Sequence, residues 1–313
     1  MTASNQKEPR KRILLLGSTG QLGATLQPAL AEIGEVVATD RKVLDFSEPE
    51  RIREFVRNSR AAVIVNAAAY TAVDKAESEQ ELAHTINATA PGALAEAANE
   101  IGALLIHYST DYVFDGRKPS AYVETDPINP LNAYGRTKAE GETAVQRSNC
   151  LYLMFRTSWV YSERGTNFLL TMLRLARQRD ELRIVSDQIG APTSTHSLTR
   201  ATARIIARYC TGEWDDGWSG VYHMTNSGST SWFGFAKAIL QRASRALGTP
   251  LPRLIPIPSA DYPTAARRPL NSVLGCEKLR NTFDISMPNW EESLDEVLDL
   301  VKGLQPAAAI HSS

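Results

Sequence analysis

Between residues 13 and 33 the chain runs from a short apolar stretch, Ile13-Leu14-Leu15-Leu16, through Gly17-Ser18-Thr19-Gly20-Gln21-Leu22-Gly23, into a helical pattern ending near Ile33. No other stretch narrows the possible folds as far. Four apolar residues closed by a glycine read as a strand buried on both faces, the habit of parallel sheets. The glycines follow G-x-x-G-x-x-G spacing. Gly17 permits a tight turn, Gly20 lets backbone approach a pyrophosphate, and Gly23 lets the next helix pack close to the sheet. The N–H groups at that helix start then face phosphate oxygens. A glycine triplet alone is a weak signal, equally the mark of an ordinary turn. After a strand and before a helix it predicts a dinucleotide site, with Thr19, Gln21 and Leu22 completing the loop.

The pattern repeats downstream. Residues 35–39 read as a second strand ending at Asp40, whose carboxylate can accept hydrogen bonds from a ribose. Arg41 can instead pair with a 2′-phosphate, so the two neighbours argue in opposite directions. Asp45, beside Phe46, can meet an adenine amine or cap a helix over 49–57. Residues 61–65 form another strand, and Ala67, Ala68 and Ala69 after it leave room for a ligand at the sheet edge where open α/β sheets bind theirs. Helices are expected over 72–81 and 87–101, then strands over 104–108 and 151–156, the latter continuing to Tyr161. Five or six strands alternating with helices imply an α/β fold, a Rossmann-type doubly wound parallel sheet with right-handed crossovers. Beyond residue 186 the alternation weakens. We expect a dinucleotide-binding domain over 11–186, with a helix over 197–209 packed back on it. A smaller C-terminal substrate-binding domain is expected over 187–303, with flexible tails at 1–10 and 304–313.

Tyr134-Gly135-Arg136-Thr137-Lys138 places a phenol and an ammonium four residues apart, on one face of a helix. An ammonium beside a phenol favours phenolate and so is expected to lower the Tyr134 pKa, making it a proton donor or acceptor. Thr110 and Asp111, after the strand over 104–108, can reach the same substrate oxygen. A lone Tyr-x-x-x-Lys also occurs on ordinary surface helices, so the pair gains its weight from its surroundings.

Composition excludes several classes. The net charge is -1, which gives no basis for nucleic-acid or anionic-membrane binding. The three cysteines, Cys150, Cys210 and Cys276, lie far apart without metal or redox spacing, as in a reduced, cytoplasmic protein. No segment approaches the ~20 apolar residues of a membrane span.

These elements together resemble the extended short-chain dehydrogenase/reductase family, which acts on nucleotide sugars. Longer strings resemble its dTDP-4-dehydrorhamnose reductase branch: residues 65–77 (VNAAAYTAVDKAE), 107–114 (HYSTDYVF), 156–161 (RTSWVY), 187–193 (DQIGAPT) and 267–272 (RRPLNS). The last departs from the family's Ser-Arg-Pro-x-Asn-Ser by an Arg at its first position. The resemblance runs from about Arg12 to Leu300. It implies reduction of the C4 ketone of dTDP-4-dehydro-L-rhamnose by NADPH, with NADH accepted, in a monomer or homodimer. It further implies Thr110, Tyr134 and Lys138 as catalytic residues. Asp111, Trp159 and Arg268 would contact the substrate, Arg268 at its nucleotide end. Gly17 to Gly23, Asp45, Phe46, Ala67 to Ala69 and Tyr108 would line the cofactor cleft. For Trp159 the alternative is a core aromatic, and for Arg268 a surface ion pair. Some members carry acidic residues proposed to bind magnesium, and no carboxylate cluster here is assigned to a metal. Two rivals share the motifs: a nucleotide-sugar dehydratase or epimerase, and a regulatory subunit of methionine adenosyltransferase that binds a dinucleotide without catalysis.

Overall fold

The computed structural model describes residues 10–248 and 250–301. The tails expected at 1–10 and 304–313 lie, apart from Arg10, outside the described residues. In chain order the strands and helices begin β1 (Arg12–Leu16), α1 (Gln21–Ile33), β2 (Glu35–Thr39), α2 (Pro49–Ser59) and β3 (Val63–Asn66). They continue with α3 (Gln80–His84), α4 (Ala90–Ile101), β4 (Leu104–Thr110), α5 (Ala133–Arg147), β5 (Tyr152–Thr157) and β6 (Val160–Tyr161). Then come α6 (Phe168–Ala176), β7 (Glu181–Val185), β8 (Ile189–Gly190), β9 (Thr193–Ser194), α7 (Thr195–Cys210), β10 (Gly220–His223) and β11 (Thr230–Ser231). The last are α8 (Trp232–Leu247), β12 (Arg253–Ile257), α9 (Glu277–Phe283) and α10 (Trp290–Leu300).

The central sheet runs β10-β5-β4-β3-β1-β2, with every pairing parallel. Its inner strands are apolar on both faces because helices cover both. One face packs Ile13, Leu15, Val65 and Ile106 against Leu26 and Leu30 of α1, Leu198 and Ile205 of α7, and Phe283 of α9. The other packs Leu14, Leu16, Ile64 and Leu105 against Ile52 and Val56 of α2 and the alanines of α4. Strand order reverses between β1 and β3, so the loops after these two strands diverge and leave a crevice at their carboxyl ends. The doubly wound parallel sheet is therefore as expected.

A second core holds Leu169, Met172 and Leu173 of α6 with Phe235, Ile239 and Leu240 of α8 and Leu294 and Val297 of α10. The β7–β12 pair closes it through Leu182 and Ile184. The two cores interleave along the chain. Residues 161–184 feed the second core, whereas α7, β10 and α9 return to the first. A single cut at 186 does not separate them.

Three local elements differ from expectation. The expected helix over 72–81 is a short 3-10 turn, Lys75–Glu77, followed by α3. The expected helix over 87–101 opens with a π-helical turn, Thr85–Thr89, because Pro91 has no N–H to return to the Asn87 carbonyl. The strand expected to run through to Tyr161 breaks where Trp159 takes φ +47°, after which β6 pairs with β9 instead of the central sheet.

Candidate active site

The glycine loop forms the floor of the crevice. Gly17 has φ +75°, and a Cβ there would stand 2.8 Å from Ala68 N. A Cβ on Gly23 would stand 2.1 Å from Gly17 O. Both glycines are therefore required for the β1–α1 turn to close on itself and on Ala67–Ala68. Gly20 is different: it is exposed, and a Cβ there would meet only Gly17 O within contact range, at 3.3 Å. It precedes a helix start that no side chain caps. The turn thus presents uncovered backbone N–H groups beside a residue without a side chain, which fits a dinucleotide pyrophosphate. Thr19 is exposed at the same rim, and Leu22 is half-buried against the sheet core. Gln21 reaches across the molecule: its Oε1 accepts from Ser162 Oγ (3.1 Å) and Asn167 Nδ2 (2.9 Å).

At the end of β2, the Asp40 Oδ1 accepts from the backbone N–H groups of Lys42 (2.9 Å) and Val43 (3.2 Å). Asp45 likewise accepts from Ser47 N and Oγ, which holds its carboxyl below the usual carboxylate range. It shapes a turn and is not the cap of α2, whose cap position is Glu48. Arg41 is exposed, with Nε 3.7 Å from Asp45. Phe46 is buried in the sheet core, so its ring supports the cleft from beneath. Ala67, Ala68 and Ala69 follow β3 and stay partly exposed in the crevice. The Tyr108 ring departs from expectation. Strand alternation turns it into the core against Phe155, where its hydroxyl meets Thr202 Oγ1 at 2.7 Å. Its contribution to the crevice is its carbonyl oxygen, which accepts from Lys138 Nζ at 2.7 Å.

Thr110, Asp111, Tyr134 and Lys138 converge at the carboxyl end of β4. Asn132 caps α5 through Gly135 N (2.8 Å), which sets the first turn of the helix against this strand end. The Thr110 hydroxyl donates to Asp111 Oδ1 at 3.0 Å, accepts from Tyr112 N at 3.2 Å and lies close enough to the Tyr134 phenol to lower its pKa. Burial raises the Tyr134 pKa to about 12, Thr110 offsets part of this, and the Asp111 charge adds to it. This corrects the expectation that Lys138 lowers it. The ammonium is turned to Tyr108 O and to His107 Nε2 at 3.3 Å, and burial brings Lys138 itself down to about 8. Burial also raises Asp111 to about 7, against hydroxyl contacts from Ser272 and Thr110. Its Oδ2 is buried and takes no hydrogen bond from the described residues.

The expected substrate residues ring this group. Trp159 is half-buried and stacks on Trp232, centroids 3.5 Å apart and planes within 8°. Gly190 makes room for it, since a Cβ there would lie 2.5 Å from Trp159 Cε2. Arg268 forms the ion pair held open as its alternative: Nη2 meets Asp74 Oδ2 at 2.7 Å and Nη1 meets Asp74 Oδ1 at 3.2 Å. It also lies near the Tyr112 phenol, whose ring is edge-on to Tyr134 at 5.8 Å. Sequence reasoning assigned no role to Tyr112, Trp232, Asn66 or His107. For His107 a signal existed, a lone polar ring inside the apolar run of β4. Among the described residues no three His, Cys, Asp or Glu side chains gather to hold a metal. No helix among them is long and apolar enough to cross a membrane.

Comparison with known proteins agrees with this geometry. Residues 11–302 match the family model of the RmlD substrate binding domain. The chain is 48% identical over 286 residues to a dTDP-4-dehydrorhamnose reductase of Burkholderia thailandensis, covering 89% of this chain and 95% of that protein. It is 48% identical over 293 residues to the same-named protein of Escherichia coli K12, covering 92% and 97%. A solved dTDP-4-dehydrorhamnose reductase from Bacillus anthracis, in complex with NADP, superposes with a TM-score of 0.84 at 37% identity, covering 92% of this chain and 99% of that one. A Thermus thermophilus UDP-glucose 4-epimerase shares the fold, with a TM-score of 0.73 at 18% identity over 93% of this chain and 99% of that one.

Proposed function

The chain belongs to the RmlD family of dTDP-4-dehydrorhamnose reductases, and from that membership we infer its reaction: it reduces the C4 ketone of dTDP-4-dehydro-L-rhamnose, giving dTDP-L-rhamnose. It is an NADPH-dependent oxidoreductase. The observation that carries the reading into chemistry is the convergence of Thr110, Tyr134 and Lys138 at the carboxyl end of β4, beside the uncapped glycine turn.

The Gly17–Gly23 turn and the Ala67–Ala69 edge would hold NADPH, which would supply the hydride. The chain's own residues manage the charge and the proton. As the ketone oxygen gains negative charge, the Tyr134 phenol donates to it, and the Thr110 hydroxyl, turned away from Asp111, can donate to the same oxygen. A phenol with a pKa near 12 stays protonated at working pH, so it stands ready as a donor and needs no prior titration. Lys138, anchored by the Tyr108 carbonyl, stands one helical turn further along the same face and can return a proton toward Tyr134. Asp111, with a buried oxygen free of donors among the described residues, suits a sugar hydroxyl. Trp159 offers an apolar wall to the sugar ring. Arg268, bound to Asp74 at the rim, ties the 262–271 stretch down beside Tyr112 and serves the nucleotide end through that placement.

The test follows nicotinamide absorbance with NADPH and the 4-keto sugar. About one NADPH should disappear per sugar consumed. A dehydratase or epimerase would turn over without net NADPH loss, and a regulatory subunit would leave the absorbance flat. The run Thr110-Asp111-Tyr112 favours the reductase over a dehydratase, because dehydration needs a carboxylate base where Tyr112 stands. The Tyr112 phenol is pushed above its ordinary pKa by burial, which makes it a poorer base still.

A further inference from the structure

Behind the proposed catalytic pair lies a buried chain of three side chains, Asn66, His107 and Lys138, each at most 2% exposed. Asn66 Oδ1 accepts from the Ala68 N–H at 3.1 Å, a group that can only donate. The other atom of the Asn66 amide is therefore Nδ2, and it faces His107 Nδ1 at 3.0 Å. Nδ1 must accept, so a neutral ring carries its hydrogen on Nε2. That Nε2–H points at Lys138 Nζ, 3.3 Å away. An ammonium has three donors and no lone pair, so opposite Nε2–H it meets a donor. A free amine accepts from Nε2–H and still donates to Tyr108 O. Turning the ring to its other tautomer moves the conflict to Asn66, and flipping Asn66 moves it to Ala68. Only the free amine satisfies the whole chain.

We propose that His107, locked by Asn66 in the Nε2–H tautomer, is a positioning residue that turns Lys138 into an acid able to reprotonate Tyr134 after each turnover. The proposal rests on the reading of Tyr134 and Lys138 as the proton-handling pair. In that step a Lys138 N–H bond breaks and a Tyr134 O–H bond forms, cancelling one positive and one negative charge. The lone pair left on Nζ takes the hydrogen bond from His107, and solvent later recharges the amine. The other groups facing Lys138 are few. Glu142, one turn along α5, favours the ammonium, but its charge is already met by Arg156 at 2.7 Å and by Ser109 at 2.5 Å. Burial and the neighbouring Lys138 charge hold His107 well below its ordinary pKa, so the ring stays neutral and its Nε2–H stays in place.

The test first reads the protein without cofactor or substrate, by magnetic resonance, and then its steady-state kinetics. Two-bond nitrogen–proton correlation on histidine-labelled wild type should find His107 protonated on Nε2 alone, unchanged from pH 5 to 9. Lysine-labelled protein, with Lys138→Met to assign the signal, should give a Lys138 midpoint near 8. In His107→Leu that midpoint should rise by roughly one pH unit, a tenfold change in the equilibrium. The basic limb of the kcat profile should move with it while the KM for NADPH stays within about twofold. A ring protonated on Nδ1 would overturn the proposal, and so would a Lys138 midpoint that is unmoved or lowered in His107→Leu. If that variant does not fold, the wild-type tautomer decides. If the tautomer and midpoint are as expected but no NADPH is consumed, the reductase reading has failed and the His107 geometry stands.

Discussion

Tyr134 meets its surroundings through one oxygen, and that oxygen decides what the residue can do. With burial raising its pKa to about 12, it is a donor across the working range. Tyr134→Phe should lower kcat by roughly 10²–10⁴-fold while NADPH binding, followed by fluorescence titration, holds. Turnover near wild type would remove Tyr134 from the mechanism. Asp111 gives a prediction on stability with a definite sign. Its folded pKa, about 7, lies above its unfolded value near 3.8, so the folded protein binds more protons between those limits. The ionised carboxylate therefore costs stability, fully above pH 7 and progressively less as pH falls toward 4. Asp111→Asn should raise Tm relative to wild type more at pH 8 than at pH 5, as scanning calorimetry would register. An equal shift at both would mean the carboxyl is solvated. A helical period of four placed Tyr134 and Lys138 on one face, and the family resemblance joined Thr110 to them. Spacing did not reveal that burial overrides the ammonium in setting the phenol's pKa, since that depends on the direction in which Lys138 points. Nor did it reveal the turn of the Tyr108 ring into the core.

At the scale of elements, α5 and β5 are joined beneath the site by a fully buried ion pair. Arg156 holds Glu142 through Nε at 3.0 Å and Nη2 at 2.7 Å, and Ser109 of β4 adds a third bond. Breaking such a pair from one side leaves a charge without a partner, whereas replacing both partners with apolar groups removes the desolvation cost as well. Glu142→Gln alone should lose about 3–5 kcal/mol in urea unfolding, and Glu142→Leu with Arg156→Met should lose clearly less. Additive losses would mean the two charges are separately solvated. The periodicity of α5 made this helix readable, and the apolar runs made β1, β3 and β4 readable. The π-helical turn before α4 was not, although Pro91 sits in plain view. A proline signals a missing N–H but not whether the chain breaks or widens by one residue. Here it widens, and Asn87 in that turn holds Tyr70 N (2.9 Å) and Thr137 Oγ1 (3.2 Å), linking the edge after β3 to α5.

Across the whole molecule two cores share one crevice. The sheet half was legible from its alternation. The partition was legible only in part: the helix over 197–209 was expected to pack back on the sheet, as α7 does, but the return of β10 and α9 to the first core was not, because it runs through contacts hundreds of ångströms of extended chain apart, which no local pattern encodes. What joins the halves beside the cofactor turn is Gln21. It sits at the first position of α1, inside the glycine loop, yet its amide oxygen takes hydrogen bonds from Ser162 and Asn167, and Asn167 caps α6 of the second core through Leu170 N at 3.0 Å. A residue that only lined the cofactor turn would affect nicotinamide binding alone. A residue that fixes the second core against that turn should affect both ligands, because Trp159, the wall proposed for the sugar, stacks on Trp232 of that core. Gln21→Ala should therefore raise KM for NADPH and for the 4-keto sugar together, each several-fold, with kcat falling less because Thr110, Tyr134 and Lys138 stand on β4 and α5. Tm should move little, since the side chain is half-buried and its loss leaves Ser162 and Asn167 bonded to backbone carbonyls, the latter at 2.9 Å. Steady-state kinetics with each substrate varied in turn would settle it: a rise confined to the NADPH KM would mean that the two halves hold their places without this bridge.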